Sequence, residues 1–202
     1  MITAAFLLSG FNMLENRNAE VSVNHVMEQL RTGETTKQIL NLPSSENMEE
    51  VSSIQDATEL EIPDYILNPN MEMPEKIIDG YAYIGVLEIP ACSLELPIIS
   101  EWTYPALKVA PCRFDGSVYT DDMILAAHDY KAHFKNIRDL GNGQRVVFTD
   151  ADGNTFTYEV TGKETISGAD LAGLKDGEWD LAMFTCTFDG RSRVVVECSR
   201  VE

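Results

Sequence analysis

The sequence predicts a mainly β protein: a closed β-barrel with short helices and an N-terminal helical or extended arm. Three observations carry this expectation. From Tyr81 onward the chain divides into short β-branched and aromatic runs, separated by proline, glycine and acidic turn residues. The stretch QRVVFTDADGNTFTYEV, residues 144–160, places two alternating runs around an Asp-Gly-Asn turn, the strongest hairpin signal in the chain. The helical interruptions between the runs are brief. Several short strands with turns between them suit a barrel or sandwich whose functional site lies at strand ends.

The elements follow in order. ITAAFLLSGF, residues 2–11, is apolar and uncharged. It is shorter than the roughly 20 apolar residues of a membrane span, and it lacks the basic start of a signal peptide. Two readings stand side by side, the trailing part of a membrane anchor and an amphipathic helix covering part of the domain. Residues 17–40 carry helical spacing, with Val23, Val26, Met27 and Leu30 on one side and Gly33 as the expected stop. An acidic stretch follows, interrupted by Pro43, Pro63, Pro69 and Pro74, which favours extended backbone and reads as a flexible arm or a lid. The arm therefore spans residues 1–75 and the barrel 76–202. Within the barrel, strands are expected at YAYIGVLEIP (81–90), LELPII (94–99), MILAAH (123–128), the hairpin 144–166, LAMFTC (181–186) and SRVVVEC (192–198). KAHFKNIRDL (131–140) and GADLAGL (168–174) supply the helical breaks.

Composition limits the function. With 44% hydrophobic and 24% charged residues the chain is globular. Its 15 Lys and Arg against 33 Asp and Glu give a net charge of −18, which argues against nucleic acid or an anionic surface as partner. Cys92, Cys112, Cys186 and Cys198 have no C-x-x-C spacing and form no zinc pattern with His25, His128 and His133, so no metal site is expected. Four cysteines leave the redox compartment open, and Cys92 and Cys112 are candidates to pair.

Cys186 ends one apolar run and His128 ends another, so both are placed at strand termini on one rim. A nucleophilic cysteine needs a histidine or cation to raise its thiolate fraction. Arg193 opens the run after Cys186, and a hairpin would return its guanidinium beside the thiol, where a planar donor fork can hold a carbonyl or an oxyanion. Taken singly, each residue has a plainer reading: a packed thiol, a structural imidazole, a solvated charge.

Taken together, AMFTC, TFDGRS and RVVVEC, with ILAAHDYKAHFKNIRDL before them, resemble the sortases, cysteine transpeptidases of Gram-positive surfaces. YIGVLEIPACSLELPII resembles the family's first hairpin and GQRVVFTDADGNTFTYEV its middle one, so the resemblance covers roughly residues 80–200 in order. It implies a sortase-type barrel with Cys186 as nucleophile, His128 as acid and base, Arg193 as the orienting cation and Thr185 as a substrate contact, in a two-step transfer that needs no cofactor. Arg191 competes with Arg193. His133 is expected to point elsewhere, and Cys198 to be structural. The implied donor is a surface protein or pilin with a Leu-Pro-x-Thr-Gly type signal, and the implied acceptor is an amine of cell-wall precursor, or alternatively a pilin lysine. The implied location is the outer face of the membrane, held by an N-terminal anchor. In the lids of pilus-building members Asp precedes Pro and an aromatic. Here the order is IPDY, which favours a plain linker. A cysteine peptidase and a non-catalytic binding barrel with a degenerate site are the readings from other classes.

Overall fold

Eight strands close into a barrel in the order β2-β3-β4-β5-β8-β9-β7-β6, with β6 hydrogen-bonded back onto β2. The strands are β2 (Tyr81–Ile89), β3 (Leu94–Ile99), β4 (Cys112–Asp115), β5 (Met123–Ala126), β6 (Arg145–Asp150), β7 (Thr155–Ser167), β8 (Leu181–Cys186) and β9 (Ser192–Val201). A short β1 (Lys76–Ile78) pairs with the start of β2. This computed structural model describes residues 2–40 and 62–201, apart from Phe188. The pairs β3–β4 and β5–β8 are parallel and the rest antiparallel.

The alternation seen in the sequence becomes the inside of the barrel. Val146 and Phe148 of β6 and Phe156, Tyr158 and Val160 of β7 are buried at every second position. Fully burying each of these Val or Phe side chains stabilises the fold by about 1.5–3 kcal/mol. Closure depends on a close approach at Gly85, which pairs with Ile98 of β3 and with Asp150 of β6. A Cβ there would lie 2.2 Å from the Thr149 carbonyl oxygen, so a side chain would hold the seam open. The hairpin between β6 and β7 is tied by Asp150, whose Oδ1 accepts from the backbone N–H of Asp152 and Asn154.

The N-terminal helix α1 (Ile2–Leu40) lies against this barrel. Ala19, Val23, Val26, Met27 and Leu30 are buried, and the last four belong to the same apolar core as the strands. His25 pairs with Asp79 at 3.1 Å and Arg31 pairs with Glu95 at its flanks. The helix does not stop at Gly33. A single glycine costs a helix only about 1 kcal/mol, so it weakens the helix without ending it.

Other expectations need revision. β1 and β4, of three and four residues, are too short to show a period in the sequence. Only Lys135–Asp139 of the expected helix 131–140 is helical, as a 3₁₀ turn, and 168–174 likewise yields a 3₁₀ turn at Leu171–Asp176. Of the predicted arm, residues 41–61 lie outside the described residues. At its end, in the short helix α2 (Asp64–Leu67), Tyr65 stacks on Tyr119 at 4.8 Å and packs on Phe156 at 5.3 Å. Tyr119 precedes β5, at the end of the barrel where β5 and β8 begin, whereas Cys186 is where β8 finishes. Five strand steps, about 17 Å, separate the two ends.

Candidate active site

Strand register brings the candidate residues together. β5 and β8 run parallel with Met123 opposite Leu181 and Ala126 opposite Phe184. Beyond the paired residues, the Ala127 N–H donates to the Phe184 carbonyl at 3.1 Å and the Thr185 hydroxyl donates to the Ala127 carbonyl at 2.9 Å. Two residues past Ala126 and Phe184, His128 and Cys186 therefore stand abreast on one face. Across the antiparallel β8–β9 ladder, Cys186 is the direct partner of Arg193. Direct partners share a face with Cβ atoms about 5 Å apart. Cys186 at the end of β8, Arg193 in β9 and His128 two residues past the end of β5 thus belong to one rim, and all three are partly exposed.

The loop between β8 and β9 fixes this pairing. The Thr187 N–H donates to the Ser192 carbonyl at 2.9 Å, and the Ser192 N–H donates to the Thr187 hydroxyl at 3.1 Å. That hydroxyl donates in turn to Asp189 at 2.6 Å, and Asp189 also accepts from the Arg191 N–H. Arg191 lies in this loop outside the strand and is exposed, which distinguishes it from Arg193. The Arg193 Nη1 donates to the carbonyls of Gly190 and Ser192 at 3.1 and 3.0 Å, and the guanidinium packs against Gly168, where a Cβ would lie 3.3 Å from Nη1. The loop thereby holds the fork at the rim.

His128 has a built surrounding. Its ring lies 4.7 Å from that of Tyr130, and its Nε2 is buried without a partner. Burial lowers its pKa below the ordinary histidine value; Glu15 opposes that shift and Lys108 adds to it. His133 is wholly buried, its ring 5.4 Å from Tyr130, and burial holds it neutral with a pKa down at about 4. It is therefore closed to substrate although it neighbours the site.

Thr185 is buried, with its hydroxyl directed to the Ala127 carbonyl. Cys92 and Cys112 do not pair. Each is a free thiol donating to a carbonyl of its own, Asn136 for Cys92 and Ala110 for Cys112. Burial pushes Cys112 and Cys198 up to about 12, which makes both inert packing residues.

Several residues of the site escaped sequence reasoning. Phe184 shares the face of Cys186, and Phe114 packs edge-on against it at 5.3 Å. Trp102 contacts Phe114 at 6.0 Å, and Tyr104 contacts Trp102 at 5.2 Å, both exposed. An aromatic wall thus runs from the rim to the surface, with the Lys175–Asp115 ion pair beside it. The period-2 pattern did not mark these residues, because Trp102 and Tyr104 lie outside any strand.

A closed barrel that gathers a cysteine, a histidine and an arginine at adjoining strand ends offers the groups that thiol-based acyl transfer needs. The profile of the sortase domain matches residues 87–201, more than half of the chain, and the chain belongs to the sortase family. No curated protein matches the sequence. Solved structures with a similar fold include sortase C1 of Streptococcus agalactiae, at 24% identity and TM-score 0.54, covering 62% of this chain and 71% of that one. Sortase C of Streptococcus pneumoniae is similar at 19% identity and TM-score 0.55, over 63% and 69%. A sortase D5 transpeptidase of Clostridium perfringens is similar at 21% and 0.53, over 63% and 83%. At these identities the likeness is one of fold, and it spans more than one sortase class.

Proposed function

We propose that Cys186, His128 and Arg193 carry out acyl transfer at a C-terminal sorting signal of the Leu-Pro-x-Thr-Gly type. The observation that supports this reading is the register that sets His128 abreast of Cys186 and Arg193 opposite it. The Cys186 thiolate attacks the Thr carbonyl of the donor, and the C–N bond to glycine breaks as His128 gives its proton to the leaving amine. A thioester on Cys186 remains. An amine then attacks that carbonyl, His128 takes its proton, and the thiolate departs. Arg193 orients the donor backbone and balances the charge that develops on the carbonyl oxygen.

The acceptor in this reading is an amine of cell-wall precursor. The position of Tyr65, docked on Tyr119 at the far end of the barrel, favours it over a pilin-joining enzyme with a lid of the usual order. The enzyme would work at the outer face of a Gram-positive membrane, with residues 2–11 as part of an anchor. Among the described residues no helix is long and apolar enough to cross a membrane.

The test is mass spectrometry of the protein mixed with a Leu-Pro-x-Thr-Gly peptide library, glycine amines and a lysine-bearing pilin peptide. An acyl adduct on Cys186, absent from Cys186→Ala and stalled in His128→Ala, is the expected result. Normal transpeptidation by Cys186→Ala would refute the assignment. Lysine ligation alone would replace the acceptor, and release to water alone would make the protein a peptidase.

A further inference from the structure

The helix α1 reaches the candidate site itself. The Tyr130 hydroxyl donates to Glu15 Oε2 at 2.9 Å, the Lys131 N–H donates to Asn16 Oδ1 at 2.9 Å, and Lys108 Nζ lies 3.5 Å from Glu15 Oε1. Tyr130 in turn lies against the His128 ring. The two hydrogen bonds join residues 115 positions apart, and they fall on the segment directly following His128.

We propose that Glu15, acting through Tyr130, is a positioning residue for His128, so that docking of α1 sets both the place and the proton affinity of the catalytic imidazole. This rests on the reading of His128 as acid and base. The geometry gives each group a sign. Glu15 has its side chain three-quarters out of solvent, where a carboxylate acts at reduced screening and favours the imidazolium. Lys108, from the turn after α3 (Tyr104–Leu107), opposes it and is itself paired to Glu15. From the 128–134 segment, Tyr130 faces the imidazole. Its hydroxyl is pushed up to about 12 by burial and by Glu15, so it remains a neutral donor. His133 stays neutral beneath, Asp129 is engaged by Arg138, and Cys186 and Arg193 adjoin from β8 and β9.

The physical consequence is directional. Removing the Glu15 charge disfavours the imidazolium, and removing the Lys108 charge favours it. A role that is merely structural would not give opposite signs to two partners of one ion pair. The same contacts make α1 a regulator in principle: anything that lifts Glu15 from Tyr130 loosens the segment that follows His128 and lowers its proton affinity together.

The experiment is a histidine NMR titration of the full chain carrying Cys186→Ala, with Glu15→Gln, Lys108→Met and Tyr130→Phe added in turn. The resonances are assigned from variants of the three histidines. The His128 midpoint is expected to move to lower pH in Glu15→Gln and to higher pH in Lys108→Met. Tyr130→Phe should broaden or shift the His128 resonance while the His25 signal holds. With Cys186 restored, Glu15→Gln should lower kcat about two- to fivefold on the alkaline side, the range an incompletely buried charge pair can supply, at unchanged KM. A His128 midpoint that ignores Glu15→Gln, or shifts of one sign in both charge variants, would overturn the proposal. Because the titration needs no turnover, failure to form an acyl-enzyme would refute the transpeptidase reading separately.

Discussion

Thr185→Val isolates one hydrogen bond between the two strand ends that carry the candidate site. The substitution keeps the shape of the side chain and removes its hydroxyl, so the Ala127 carbonyl, the last before His128, loses its donor. Thr185 is 1% exposed, so water cannot replace that donor without rearrangement. An unsatisfied buried acceptor costs about 1–3 kcal/mol. The methyl that replaces the hydroxyl returns up to about 0.8 kcal/mol through burial. A net loss of about 1–2 kcal/mol follows, which lowers Tm by roughly 3–6 °C for a domain of this size. Because the lost bond locks β8 to the residue preceding His128, kcat should fall by about tenfold or more as the imidazole leaves its place. Thr185→Ser keeps the hydroxyl and should retain most of both.

The assay is thermal unfolding combined with steady-state kinetics on a sorting-signal peptide. Unchanged Tm and kcat in Thr185→Val would refute the locking argument. A rise in KM alone, at unchanged stability, would instead mean that the hydroxyl serves the donor peptide, the role that resemblance to the family implied.

Further outcomes are expected elsewhere. Native alkylation should label Cys186 first and leave Cys112 and Cys198 unmodified, since burial pushes those two thiols up to about 12, and the intact mass should be unchanged by reductant. His133, held at about 4 in the fold against about 6.5 unfolded, contributes stability that is complete above pH 6.5 and lost as pH falls toward 4, on the order of 3 kcal/mol. Urea midpoints of His133→Leu measured across that window should lack this part of the acid dependence; an unaltered slope would contradict it. Trp102→Ala removes the link between Phe114 and Tyr104 in the aromatic wall and should raise KM for the donor several-fold with kcat maintained, measured by initial rates; a fall in kcat alone would place Trp102 outside peptide binding.

The barrel was readable in the sequence where the period-2 pattern has length. β6 and β7 announce themselves through Val146, Phe148, Phe156, Tyr158 and Val160, all on one face, with a turn that Asp150 ties. β1 and β4 did not, because three or four residues beside prolines and glycines carry no period. The proximity of Cys186 and His128 was only suggested by their places at the ends of apolar runs. It is the parallel register, with Ala126 opposite Phe184, that sets the two strand ends side by side as one candidate site, and register is a property of pairing that no single strand displays. The Cys92–Cys112 expectation failed for a related reason: an even count of cysteines says nothing about where the strands carry them.

The helix α1 shows the limit most sharply. Its apolar stripe at Val23, Val26, Met27 and Leu30 was legible, and the structure buries those residues against the barrel. Glu15 carried no signal, since a lone carboxylate on a helix is ordinarily a solvated charge. Its partner Tyr130 lies 115 residues away. The helix is continuous from Ile2 to Leu40, and at 1.5 Å per residue the apolar run at its start lies within about 20 Å of Glu15. One continuous helix therefore connects the segment read as part of an anchor to the residue beside the imidazole's neighbour. On this geometry a tether at the start of α1 would orient the groove and hold Glu15 in place at once, so release of the tether should register in the titration of His128.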